Sequence, residues 1–186
     1  MKKIKLFKIY QDEDKVLREK CLPLELPLSK EEKKLIKDMV EYLKASQDDE
    51  FAEEHSIRPG VGLAAPQIGI NKRFFAVYYI NENDEEVKYG LVNPKIISSS
   101  VKKCALKGGE GCLSVEDMHQ GYVKRYLRIK MKAYDHISKQ DVLLSLKGYV
   151  AIVLQHEYDH LFGTLYYDHI NKNNPTDTSD GAVEII

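Results

Sequence analysis

The chain has 186 residues, 43% of them hydrophobic, and its 28 lysines and arginines are nearly balanced by 29 acidic residues, for a formal net charge of -1. That length suits one domain with a single buried core over residues 1–186, and the balanced charge excludes the overall basic footprint of a nucleic-acid binder or of an enzyme for polyanions. The lysine-led start MKKIKLFKIYQDEDK never reaches the apolar core of about 7–15 residues that a signal peptide needs, and no window approaches a membrane span, so a cytoplasmic protein without membrane contact is expected.

In chain order, Ser29 and Glu32 form a capping-box pattern followed by the apolar series Leu35, Ile36, Met39, Val40 and Leu43, which predicts an amphipathic helix over 30–46. The charged, aperiodic stretch 46–59 reads as an exposed insertion with room for one short helix. β-branched and aromatic runs at 73–79 and 88–98, separated by a polar turn at 81–84, predict a hairpin. Leu127, Ile129, Met131 and Ala133 alternate with polar residues, as do Val142, Leu144 and Leu146 beyond a turn at 136–140, so an antiparallel pair with one buried face is expected. The period then changes. Tyr149, Ile152, Val153, His156 and His160 recur at helical spacing up to Gly163, which predicts a helix over 149–162 with a glycine stop. The tail 171–180 is rich in Asn, Asp, Thr and Pro, and 182–186 could add a short strand.

The helix contains Gln155-His156-Glu157-Tyr158-Asp159-His160, the HExxH spacing that puts two imidazoles one turn apart on one face. Two buried histidines with an acid between them are hard to satisfy without a cation. Glu157 flanks the same face, where a carboxylate can accept a proton from an activated water. A catalytic site of this kind needs a third protein ligand and an open position. Gly163 matches the extended pattern HExxHxxGxxH, but its last ligand position is Tyr166, and Glu184 stands without a predicted helix to present it. Cys112 is the strongest remaining candidate. A structural site closed by His119, His136 or His169, and an endopeptidase using Glu184, stay open at this point. Three cysteines, Cys21, Cys104 and Cys112, leave one unpaired and point to core or metal roles for thiols.

Taken together, GVGLAAPQIG at 60–69, EGCLSV at 110–115 and QHEYDH at 155–160 resemble the three signature motifs of peptide deformylase in order and spacing. The insertion at 46–59 and the non-helical tail resemble the second bacterial subclass of that family. The resemblance implies an α+β fold with antiparallel β-sheets packed around a central HExxH helix and an N-terminal amphipathic helix. It implies that Cys112, His156 and His160 bind one divalent metal ion, Fe2+ natively with Zn2+, Ni2+ or Co2+ as substitutes, and that Glu157 is the acid/base. Gln67 and the Leu113 amide are then assigned to the carbonyl oxygen of the substrate. Gly60, Val61, Gly62, Glu110, Gly111, Tyr149, Ile152 and Val153 are expected to bind it. Glu110 is also expected to meet an arginine, with Arg125 the candidate and Lys124 beside it. The implied reaction is hydrolysis of the N-formyl group from the initiator methionine of new polypeptides, by a monomer that touches the ribosome transiently.

Overall fold

The computed structural model of the protein describes residues 4–178 and 183–186; the expectations that fall on 179–182 lie outside the described residues. Helix α1, Lys30–Ser46, begins at Ser29, whose side chain accepts from the Glu32 amide while the Glu32 carboxylate accepts from the Ser29 amide. The helix therefore starts with two of its otherwise unpaired donors satisfied. Its buried residues include Ile36, Met39, Val40 and Leu43 of the series read from the sequence, with Leu35 half-buried. Helix α2, Asp49–His55, follows in the insertion and buries none of its residues.

One sheet has five strands in the order β1-β2-β3-β6-β7, namely Gly62–Ala64, Phe74–Ile80, Glu86–Ser99, Arg128–Asp135 and Gln140–Lys147, and every neighbouring pair in it is antiparallel. A smaller sheet, in the order β5-β4-β8, joins Arg125–Tyr126, Lys103–Ala105 and Val183–Ile185. Here β4 and β8 run parallel, so this sheet is mixed. The strand β2 shows why its sequence is apolar throughout: Phe74, Ala76 and Tyr78 join the cluster that includes Ile36, Met39 and Leu43 of α1, while Phe75, Val77 and Tyr79 join the cluster that includes Ala151, Val153 and Leu154. Successive side chains point to opposite faces, and both faces of this sheet are covered.

Helix α3, Tyr149–His160, supplies that second cover. It touches β1, β2 and β7 of the large sheet and β5 of the small one, and residues 151–157 are all buried. The helix is thus enclosed on more sides than a single apolar stripe would suggest. Gln155 ties it to the small sheet: its side chain accepts from the Tyr126 amide at 2.9 Å and donates to the Tyr126 carbonyl at 2.9 Å. The helix ends two residues earlier than the spacing suggested, and Gly163 follows with φ +75°. Among the described residues no helix is long and apolar enough to cross a membrane.

Gly163 closes the turn after α3 against the N-terminal segment, and a Cβ placed there would lie 2.5 Å from the Arg18 carbonyl oxygen. A left-handed backbone costs an L-residue about 1–2 kcal/mol before any clash is counted. Gly163→Ala is therefore expected to lower unfolding stability by more than about 1 kcal/mol in urea titration; an unchanged midpoint would mean that this turn relaxes freely.

Candidate metal centre and catalytic cleft

The ligand atoms of Cys112, His156 and His160 all lie within 4.8 Å of one another, the only such group of three among the described residues. Two come from one face of α3 and the third from the loop after β4. The Cys112 Sγ stands 3.3 Å from Nε2 of His160 and also accepts from the Ser114 amide at 3.4 Å. His156 is held through its other nitrogen: Nδ1 bonds the Glu110 carboxylate at 2.8 Å. That contact leaves Nε2 of His156 free to offer a lone pair to an ion.

These residues fit a divalent ion. One thiolate and two imidazoles are the donors that zinc and ferrous iron accept, and bonds of about 2.0–2.3 Å bring a single ion within reach of all three. Buried Oε2 of Glu157, which lines the cleft, has no hydrogen-bond partner, the state of a pocket built around something polar. Burial is the main cause that holds the His160 imidazole well below its usual range. His169 instead bonds Asp159 at 2.7 Å, and His119 rests on the Tyr167 ring at 4.2 Å between centroids. Neither of these nor His136 belongs to the ligand group, so a fourth, closing ligand is absent among the described residues. Tyr166 turns its ring onto His156, and its hydroxyl accepts from the His119 amide at 3.3 Å. Glu184 lies in β8, opposite Cys104. Of the three thiols, Cys21 and Cys104 are fully buried in the core and only Cys112 reaches a cleft.

Behind the ligands lies a charge network. Arg125 binds Glu110 through Nε at 2.6 Å and Nη2 at 2.9 Å, and binds Asp159 through Nη1 at 2.8 Å. The choice between Arg125 and Lys124 thus falls to Arg125. Burial alone would push the Glu110 carboxyl up, but hydrogen bonds from His156 and the Arg125 guanidinium outweigh it and hold the group at about 2. Glu110 lines the cleft, with its carboxylate engaged by Arg125 and His156. The partner role of Asp159, within the HExxH segment itself, has no signature in that motif and was missed.

The cleft in front of the ligands has a volume of ≈ 420 Å³, within the usual range of small-ligand sites, and Gly60, Val61, Gly62, Gln67, Gly111, Leu113, Tyr149, Ile152, Val153 and Glu157 line it. Gln67 is anchored at its carbonyl end, where Oε1 accepts from the Ala64 amide at 2.7 Å, so its Nε2 faces Ser114 Oγ at 3.1 Å and Cys112 Sγ at 3.5 Å. Burial pushes the Glu157 carboxyl up to about 7, against the opposing pull of His156 and Arg125.

The strand β1 is an edge of the large sheet. The Tyr78 amide bonds the Val61 carbonyl at 2.9 Å, and Gly62 stands opposite Val77. In such a register the peptide groups of Gly62 point away from β2, toward the open side. The insertion is not merely exposed. Ser46 is buried and its Oγ accepts from the Gly60 amide at 3.2 Å, while Gln47 donates to the carbonyls of Gly60 at 2.9 Å and Tyr78 at 2.8 Å. Gln47 and Arg58, with Pro59 and Leu106, also line the cleft. Such contacts to backbone carbonyls leave no spacing pattern, so sequence reasoning passed over them.

A Cβ on Gly62 would fall 2.1 Å from Oε1 of Glu157. Gly62→Ala is therefore expected to displace the Glu157 carboxylate and reduce turnover by about 10²-fold, the usual scale for a misplacement of one ångström, with metal content unchanged. Wild-type turnover in a metal-loaded Gly62→Ala enzyme would show that the contact is easily relieved.

The comparisons with known proteins agree with this geometry. The family model described as Polypeptide deformylase matches residues 6–176. The chain is 48% identical over 177 residues to Peptide deformylase 2 of Bacillus subtilis (strain 168), covering 95% of this chain and 96% of that one. It is 51% identical over 160 residues to a peptide deformylase of Listeria monocytogenes, covering 86% and 87%. Among solved structures, it resembles a probable peptide deformylase from Synechococcus phage S-SSM7 with TM-score 0.72 and 36% identity over 89% of this chain and 100% of that one. The peptide deformylase of Thermotoga maritima follows with TM-score 0.70 and 32% identity, covering 90% and 99%. The chain belongs to the polypeptide deformylase family, hydrolases that remove the N-formyl group from newly made polypeptides.

Proposed function

We propose that this chain hydrolyses the formyl group of the initiator methionine, releasing formate and a free amine, with each step carried by a residue of the cleft. The observation that supports this most is the meeting of one thiol, two imidazoles and an unpartnered buried carboxylate at the floor of an edge-strand groove. Cys112, His156 and His160 would hold a divalent ion, which supplies the Lewis acidity that makes water a nucleophile near neutral pH. An extended substrate adds to the outer edge of β1, pairing with the Gly62 peptide. Its methionine side chain enters the apolar part of the cleft formed by Val61, Tyr149, Ile152 and Val153. Glu157 accepts the proton from the attacking water, and the Gln67 side chain and Leu113 amide donate to the oxyanion that develops. Glu157 then delivers the proton to the departing amine.

The scaffold reading is of one domain over residues 1–186. The HExxH helix is its central element, and the capped amphipathic helix covers the opposite face of the large sheet. Ferrous iron is proposed as the native ion by likeness to the family, with zinc, nickel or cobalt able to replace it; the ligand set suits all of them, and affinity alone would favour zinc over iron. We place the protein in the cytoplasm as a monomer, in transient contact with the ribosome as polypeptides emerge.

The test compares formate release from formyl-Met peptides with acetate release from acetyl-Met peptides, by enzyme of measured metal content. Strong preference for formyl is expected, since a methyl on the carbonyl would be overpacked against Gln67 and Leu113; equal rates would contradict the assignment. Gln67→Leu should lower kcat by about 10²-fold and change KM little, because the donor acts on charge that exists only in the transition state. A change confined to KM would make Gln67 a substrate-binding residue instead.

A further inference from the structure

Arg58 lies between α2 and β1, outside all three signature segments, yet its guanidinium reaches the loop that carries Cys112 and Leu113. Its Nη1 donates to the Val115 carbonyl at 3.0 Å, and Nη2 donates to the carbonyls of Cys112, at 3.3 Å, and Leu113. The Cys112 carbonyl belongs to the same peptide group as the Leu113 N–H. We propose that Arg58 is a positioning residue for the reaction: by holding the Cys112 carbonyl, it aims and polarises the Leu113 amide that faces the substrate oxyanion. This rests on the reading of Leu113 as an oxyanion donor.

The physical argument has two parts. In a trans peptide the C=O and N–H point in opposite directions, so a bond that fixes one fixes the other. Here the Cys112 carbonyl accepts both from Arg58 and from the Val115 amide at 3.2 Å, which leaves its plane little freedom. A cationic donor on the carbonyl also draws charge from the amide, and hydrogen bonds in series strengthen one another in this way. The chemistry requires arginine in particular: its planar fork offers several donors at fixed angles and can serve three carbonyls at once, whereas a lysine ammonium is a point donor. An oxyanion donor that is already oriented costs no reorganisation as the reaction proceeds.

The experiment compares Arg58→Ala and Arg58→Lys with wild type, each at measured metal content, in kcat, KM and thermal midpoint. Arg58→Ala is expected to lose about 10- to 100-fold in kcat with KM nearly unchanged and metal retained, and low-millimolar guanidinium ion should restore part of the loss. Wild-type kcat, a loss confined to KM, or a loss that follows lost metal and is not restored by guanidinium would each overturn the proposal. If Arg58→Ala does not fold, Arg58→Lys decides: reduced kcat at an unchanged midpoint supports the role, and wild-type kcat refutes it. Gln67→Leu assayed alongside separates the two readings. If it too keeps its kcat, the oxyanion assignment itself has failed; if it loses kcat while the Arg58 variants do not, only the role of Arg58 is wrong.

Discussion

The carboxylate of Glu110 is shared between Arg125 and His156, and the arrangement of the centre depends on that contact. It sets which imidazole nitrogen of His156 is free, fixes the ring, and joins the cysteine loop to α3 across 46 residues of chain. Only an acid held ionised can do this. The Arg125 fork keeps it so in a place where burial favours the neutral form. Removing either partner of so buried a pair leaves a charge uncompensated, at a cost of about 3–5 kcal/mol. The network continues through Asp159 to His169 at the surface, so the ligand helix is braced on the side away from the cleft.

The two sheets explain why the ligands sit on a helix that is polar at its centre yet enclosed. The large sheet covers one side of α3 and the small sheet, through Gln155 and Tyr126, covers another. A helix so enclosed cannot shift to suit its side chains. The imidazoles are therefore held in place by packing, and an ion bound by them would offset the desolvation of these polar groups. The open side faces β1, where Gly62 lets the Glu157 carboxylate approach the backbone. The motifs are thus three walls of one cleft: an edge strand, a loop and a helix.

Much of this was legible in the residues. The helix from Ser29, the hairpin at 73–98 and the antiparallel pair at 127–147 announce themselves because capping and periodicity are local. The two candidate imidazoles could be picked out because HExxH is a local spacing, whereas Cys112 is separated from it by 43 residues and was singled out by likeness to a family. Of the small sheet only a short strand within 182–186 was expected, where β8 lies. Its strands β4 and β5 are of three and two residues, too short for any alternation to show. Nor could the insertion's part in the cleft be read, because Ser46, Gln47 and Arg58 act on backbone groups whose positions no side-chain pattern encodes.

The central claim is that a carboxylate kept ionised by Arg125 prepares His156 for the metal. The most direct measurement is the metal dissociation constant of Glu110→Gln against wild type, by competition with a chelator of known affinity. A change of partner behind a ligating histidine typically weakens binding by about 10- to 100-fold, and that loss is predicted for a chain that remains folded. Wild-type affinity in the folded Glu110→Gln protein would contradict the account.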